Sequence, residues 1–162
     1  MPANPSIKLA LAGAAAAASV FLLIRSIHTG STQPGAFFYD VSARRLFTAP
    51  EGSVPPIRGI DGPEEDAVRA VVVSINGQPA DKSSWRVAYL ERYSPELKQQ
   101  IEASQAGGPP PALGRGSSAA HRWVRRTNDL EWTSLGSEAG ERIVSEWTAA
   151  GIAGATPVIC TP

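Results

Sequence analysis

Apolar residues are spread unevenly along this chain. Sixteen residues from Leu9 to Ile24 carry no charge and no proline, and Lys8 and Arg25 bound them. After Gly35 the pattern changes to short apolar runs separated by turn-forming breaks. Ala36–Tyr39 and Leu46–Ala49 flank a short polar connection and predict a β-hairpin. Ala67–Ile75 is β-branched and apolar on both faces over Ala70–Val73, which suits a central strand. Trp85–Tyr93 alternates, placing Trp85, Val87 and Tyr89 on one side and Arg86, Ala88 and Leu90 on the other. It reads as the antiparallel partner of the preceding strand. Ser94 then opens a helix as its N-cap, with Pro95 at the first helical position and Glu96 at the positive end of the dipole. Leu97 and Ile101 form its narrow apolar stripe. Ala120–Arg126 and Leu130–Leu135 predict two further strands around a Thr-Asn-Asp turn. Ser137 caps a second helix that runs to Gly151, with Ala139, Ile143, Trp147 and Ala150 on one face. Ala155–Cys160 predicts a last strand.

These elements make a small α+β domain, an antiparallel sheet covered by two helices. Its breaks are equally informative. The 162 residues include 15 Gly and 14 Pro, above their average combined usage of about 12%, and these concentrate in two segments. The stretch 50–66 holds four prolines and must turn or run extended, since proline removes donors that helix or central sheet needs. The stretch 107–118, "GGPPPALGRGSS", reads as an exposed connector, with a polyproline ligand as the lesser alternative.

The opening segment stands apart from this domain. Sixteen helical residues at about 1.5 Å rise span about 24 Å, short of the about 30 Å of a bilayer core. Ile7 to Ile27 supplies 21 residues, and the stems of Lys8 and Arg25 can lie along the apolar stretch with their charges at the headgroups. A cleaved leader would place small residues after the apolar run. Here Gly13–Ser19 come first, Val20–Ile24 come last, and Arg25-Ser26-Ile27-His28 offers no A-x-A-like site. The order favours a retained single transmembrane helix over a leader or a buried soluble helix. Ala10, Ala14 and Ala18 on one face, and Gly13 and Ala17 on the next, provide a small-residue stripe against which a second membrane helix can pack. The organisation expected is therefore a tail and anchor at 1–29, a linker at 30–35, and an extracytoplasmic domain at 36–162. The flanking charges are close to balanced, so orientation rests on the short amino-terminal tail staying inside.

Charge and cysteine content narrow the chemistry. Fifteen basic and fifteen acidic residues leave no net charge, which argues against a nucleic-acid partner. One cysteine excludes an internal disulfide, a cysteine-based zinc site and a CxxC pair, and His28 and His121 lie far apart, so no metal and no cofactor are expected. No phosphate loop, dinucleotide fingerprint, HExxH or GxSxG occurs. His121 reads as a strand surface residue. Glu64-Glu65-Asp66 reads as a solvated patch in a Gly/Pro loop, and Cys160 as a buried small hydrophobe. Arg122, Trp123, Arg125, Arg126 and Trp132 form a basic-aromatic cluster whose functional reading is a protein interface, since Arg and Trp are favoured anchors there.

The order "FFYDVSARRLFTAP…VPPI", "VAYLERYSPELK" and "VRRTNDLEWTSLGSEAGERI" resembles small membrane-anchored bacterial envelope proteins of unestablished function. The resemblance implies a fold unit and a place in the inner membrane with the domain in the periplasm. It implies no activity, and the cysteines such relatives often carry are absent from "SINGQPADKS" here. The expectation is a non-catalytic, single-pass accessory subunit of a larger membrane assembly, of the kind that photosynthetic and respiratory electron-transfer complexes collect. Its partners would be other integral membrane subunits and the lipid bilayer. The alternatives are a free anchored periplasmic binding protein and an enzyme without a recognisable motif.

Overall fold

The apolar-aromatic runs within Gly35–Asp40 (β1) and Arg45–Pro50 (β2) form the expected hairpin, in register from Gly35 opposite Pro50 to Asp40 opposite Arg45. A computed structural model describes residues 34–112 and 115–162. The expected anchor at 1–29, with its stripe of Ala10, Gly13, Ala14, Ala17 and Ala18, lies outside the described residues, as does the linker up to residue 33. No described helix is long and apolar enough to cross a membrane.

The domain is α+β. Its antiparallel sheet runs β2-β1-β3-β4-β5-β6, with β3 at Ala67–Ser74, β4 at Trp85–Tyr93, β5 at Arg122–Arg125 and β6 at Thr133–Ser134. The short β7, Val158–Ile159, pairs with Val73 and Ser74 of β3, beyond the part of β3 that β1 occupies. Apolar on both faces, β3 is the central strand that its sequence predicts.

One irregularity decides the faces. The register passes from Val71 opposite Tyr89 to Val72 opposite Val87, leaving Ala88 as an extra residue in β4. Such a bulge shifts the phase of the strand by one residue. Simple alternation places Leu90 opposite Trp85 and Val87. The bulge instead brings all three to one face with Phe37, Val68, Ala70, Val72 and Cys160, which form the main core cluster. Phe37 meets Trp85 edge-on, with ring centroids 5.3 Å apart, a favourable aromatic geometry. The opposite face buries Phe38 against Phe47, and Val124 beside the helix that carries Ile143.

Three helices complete the domain, where two are predicted. Helix α1, Pro95–Gln105, begins as expected: the Ser94 hydroxyl accepts the Leu97 amide, and Leu97 is buried. It also straps down the proline-rich segment. Lys98 Nζ donates to Pro56 O at 2.6 Å and pairs with Glu65, and Gln105 Nε2 donates to Gly52 O at 2.8 Å. Val54 and Pro55 are buried, so 50–66 is a packed strap and not a free loop.

Helix α2, Arg115–Ala120, takes up the end of the stretch 107–118 read as a connector and runs on to Ala120, so β5 starts two residues later than predicted. Its sequence, RGSSAA, has no apolar pattern to announce a helix. The strand expected over Leu130–Leu135 shrinks to Thr133–Ser134, with Leu130 91% exposed, and the one expected over Ala155–Cys160 shrinks to Val158–Ile159. Helix α3, Glu138–Ser145, has the Ser137 cap but ends six residues before Gly151 and continues as a 3-10 turn over Glu146–Ala149. Its buried face is Gly140 and Ile143, whereas Ala139 and Ala150 are exposed.

Candidate functional site

The basic-aromatic cluster expected from sequence is divided by the pleat of β5. Leu90 pairs with Arg125 and Arg92 pairs with Trp123, so Trp123 and Arg125 share the face of Leu90 while Arg122 and Arg126 take the other. The divided residues do different work.

Arg122 and Arg126 act as structural ties. Arg122 Nε bonds the buried carboxylate of Glu91, and that bond raises the guanidinium's pKa. Arg126 clamps Glu146 through two bonds, 2.5 and 2.6 Å, and also reaches Asp129 at 3.2 Å. The fork geometry fastens the end of β5 to the 3-10 turn after α3.

Arg125 has no such partner. It is 8% exposed, yet among the described residues its hydrogen bonds run from Nη1 to the carbonyls of Asp129, 2.8 Å, and Leu130, 3.5 Å. Its Nε is buried without a partner. Its guanidinium instead lies 4.7 Å from the centroid of the Trp132 ring, and that of Arg92 lies 4.5 Å from the same ring. Arg92 forms no ion pair among the described residues, and burial, then the charge of Arg125, lowers its pKa. Cation–π contact offsets part of this, with about 2 kcal/mol for a desolvated pair. Buried charges are ordinarily matched by an opposite charge, and a buried unpaired polar atom costs about 1–3 kcal/mol. Two guanidiniums on one tryptophan without a carboxylate are therefore an anion-seeking arrangement.

Two recesses open beside it. One, about 270 Å³, lies between the β1–β2 turn and the loop after β5, with Tyr39, Val41, Arg44, Arg125, Thr127 and Asn128 in its lining. The other, about 510 Å³, has Arg92, Tyr93, Trp123, Ser94 and Lys98 in its lining. Arg44 is held in the left-handed region, φ 52°, at the end of the turn that the buried Asp40 organises. Asp40 accepts from Ala43 N at 2.7 Å, Ile60 N at 2.6 Å and Ser42 Oγ at 3.0 Å. The Ala43 bond foremost, opposed by burial, and then the Ile60 and Ser42 bonds hold its carboxyl below the usual range.

The remaining candidates have structural employment. His121 is half-buried just before β5, with Nδ1 2.8 Å from Ser94 Oγ, and Ser94 N donates to His121 O at 2.8 Å. The pair is a strut between α1 and β5, since the serine hydroxyl already caps the helix. The run 64–66 is split up: Glu65 pairs with Lys98 and Asp66 accepts the Ser42 amide. Among the described residues no group of three His, Cys, Asp or Glu side chains converges on a common point. Cys160 is buried, as its apolar surroundings in the sequence predict.

Sequence reasoning missed Arg92 and Arg44. Arg92 follows the alternation of β4 onto the face of Leu90, and only the register of β5, which sets Arg125 opposite Leu90, brings the two arginines to one face. The signal for Arg44 is its place in Arg44-Arg45, directly after a four-residue turn that an aspartate opens. No protein family, no curated protein and no solved structure matches this chain.

Proposed function

We propose that this chain is a non-catalytic accessory subunit of a bacterial inner-membrane assembly. In this reading it is anchored by residues 1–29, and its periplasmic α+β domain contacts neighbouring subunits through the face that carries Arg92, Trp132 and Arg125. The observation that carries the reading is the pair of arginines stacked on Trp132, one of them nine-tenths buried, with no carboxylate for either. Arginine and tryptophan are the residue types that dominate binding energy at interfaces, and an uncompensated charge on a rigid sheet steers a partner of opposite sign. The anchor rests on the uncharged run Leu9–Ile24 and its small-residue stripe.

The test is native purification of the full-length chain in mild detergent, with the accompanying proteins identified and their ratio measured. The reading expects a fixed stoichiometry that falls when Arg92 and Arg125 are both replaced by Gln, or when Gly13 and Ala14 are replaced by Leu. Recovery of the chain alone in several mild detergents overturns it. A free anchored binding protein is the second reading. The recess of about 510 Å³ beside Arg92 favours it, a size within the range of small-molecule sites. That reading expects ligand binding in the absence of any co-purifying protein.

A further inference from the structure

We propose that the recess between the β1–β2 turn and the loop after β5 is a carboxylate site, built to receive an acidic side chain of a partner segment. The proposal deepens the interaction reading above and rests on it for the source of the carboxylate.

The cations near the recess divide into paired and unpaired ones. Arg126 is committed to Asp129 and Glu146, and Arg122 to Glu91. Arg125 and Arg44, both lining the recess, form no ion pair among the described residues. Arg125 is fixed in place by Nη1 on Asp129 O and by its contact with Trp132. A guanidinium preorganised in this way loses little entropy when it takes a ligand. Arg44 adopts a left-handed backbone, φ 52°, which glycine would occupy without strain.

Size and charge define the ligand. About 270 Å³ holds a side-chain-sized group and not a nucleotide. Asp129 also lies on the wall, so a doubly charged phosphate would meet a like charge. A planar, singly charged carboxylate matches the guanidinium fork. The neighbouring Tyr39 and Val41 provide an apolar rim for the stem of a glutamate.

The experiment uses the purified full-length chain in detergent. The probes are a capped Gly-Glu-Gly-Glu-Gly peptide, the same peptide with Gln for Glu, glutarate and inorganic phosphate, each titrated by calorimetry and by tryptophan fluorescence. The glutamate peptide is expected to bind about tenfold or more tightly than the glutamine peptide, the scale of one charge-assisted bond. Arg44→Gly removes the charge and relaxes the turn, so it should keep or raise the melting temperature while weakening the glutamate peptide about tenfold. Arg44→Lys should restore only part of the affinity. Equal binding of the two peptides, or full affinity in Arg44→Gly, overturns the site. Phosphate binding tighter than the peptide overturns the carboxylate assignment. Glutarate binding without peptide binding overturns the partner segment as source. The two proposals fail separately. A fixed co-purifying subunit that survives Arg44→Gly sinks the carboxylate site alone. Peptide binding by a chain that always purifies alone sinks the accessory-subunit reading alone.

Discussion

Gly140 offers a test in which local and tertiary reasoning give opposite signs. It lies inside α3, where replacing glycine by alanine stabilises an isolated helix by about 1 kcal/mol. Here the residue is buried against the β6 end of the sheet. A Cβ built on it would sit 2.8 Å from the Ser134 carbonyl carbon and 2.9 Å from Leu135 Cα, and closer still to the Ser134 oxygen. All three are backbone atoms, so no rotamer change relieves the clash. Either α3 moves off the sheet, exposing Ile143, or β6 is displaced from β5. Overpacking of this kind costs about 1–3 kcal/mol, and backbone neighbours put it at the upper end. After the gain in propensity, Gly140→Ala should lose about 2 kcal/mol. For a domain of this size that is a fall in melting temperature of about 8 °C. The matched control is Ala139→Gly, one residue earlier and exposed, which should lose only the about 1 kcal/mol of helix propensity. Calorimetry or circular dichroism of the purified protein reads both. A Gly140→Ala protein as stable as the parent, or more so, would refute the packing of α3 on β6 described above.

Three further perturbations probe the rest of the domain. Glu91→Gln leaves Arg122 without its counter-charge, and since Arg122 is partly exposed the loss should be about 2 kcal/mol, seen as a lower urea midpoint at unchanged slope. An unchanged midpoint would mean that the pair contributes nothing. Asp40 has a depressed pKa, so its contribution is fully present above the unfolded carboxyl value of about 4 and is lost as pH falls through the lower folded value. Asp40→Asn should therefore lower stability at neutral pH and flatten the acid limb below about pH 4, and an unaltered acid limb counts against the role given to Asp40. Cys160 is buried and burial raises its thiol pKa, so Ellman's reagent should react with it only after denaturation, and prompt reaction in the native protein would contradict its place in the core.

Strands and caps were legible because their signals are local. The β1–β2 hairpin, the β-branched run of β3 and the Ser94 and Ser137 caps each depend on a few neighbouring residues, and each stands where the pattern puts it. Cys160 was also readable, since an apolar run containing a single thiol offers few fates. Helix α2 was not readable, because RGSSAA carries no periodic apolar face. Nor was the strapping of the proline-rich segment, which depends on Lys98 and Gln105 reaching back across more than forty residues of chain.

The candidate site shows the same division. The residue types were visible, and Arg122, Trp123, Arg125, Arg126 and Trp132 stood out as a group. The order of residues by itself determined that the domain would be a small α+β unit with arginines among tryptophans in its carboxyl-terminal half. Only the tertiary structure decided which arginines belong together. The pleat of β5 sends Arg122 and Arg126 to carboxylates on one face, while the register that sets Leu90 opposite Arg125 places Arg92 on the other face beside Arg125. Periodicity fixes the faces within one strand, but which faces meet is decided by cross-strand register between segments distant in sequence, and the extra residue at Ala88 likewise decides which β4 side chains join Leu90 in the core.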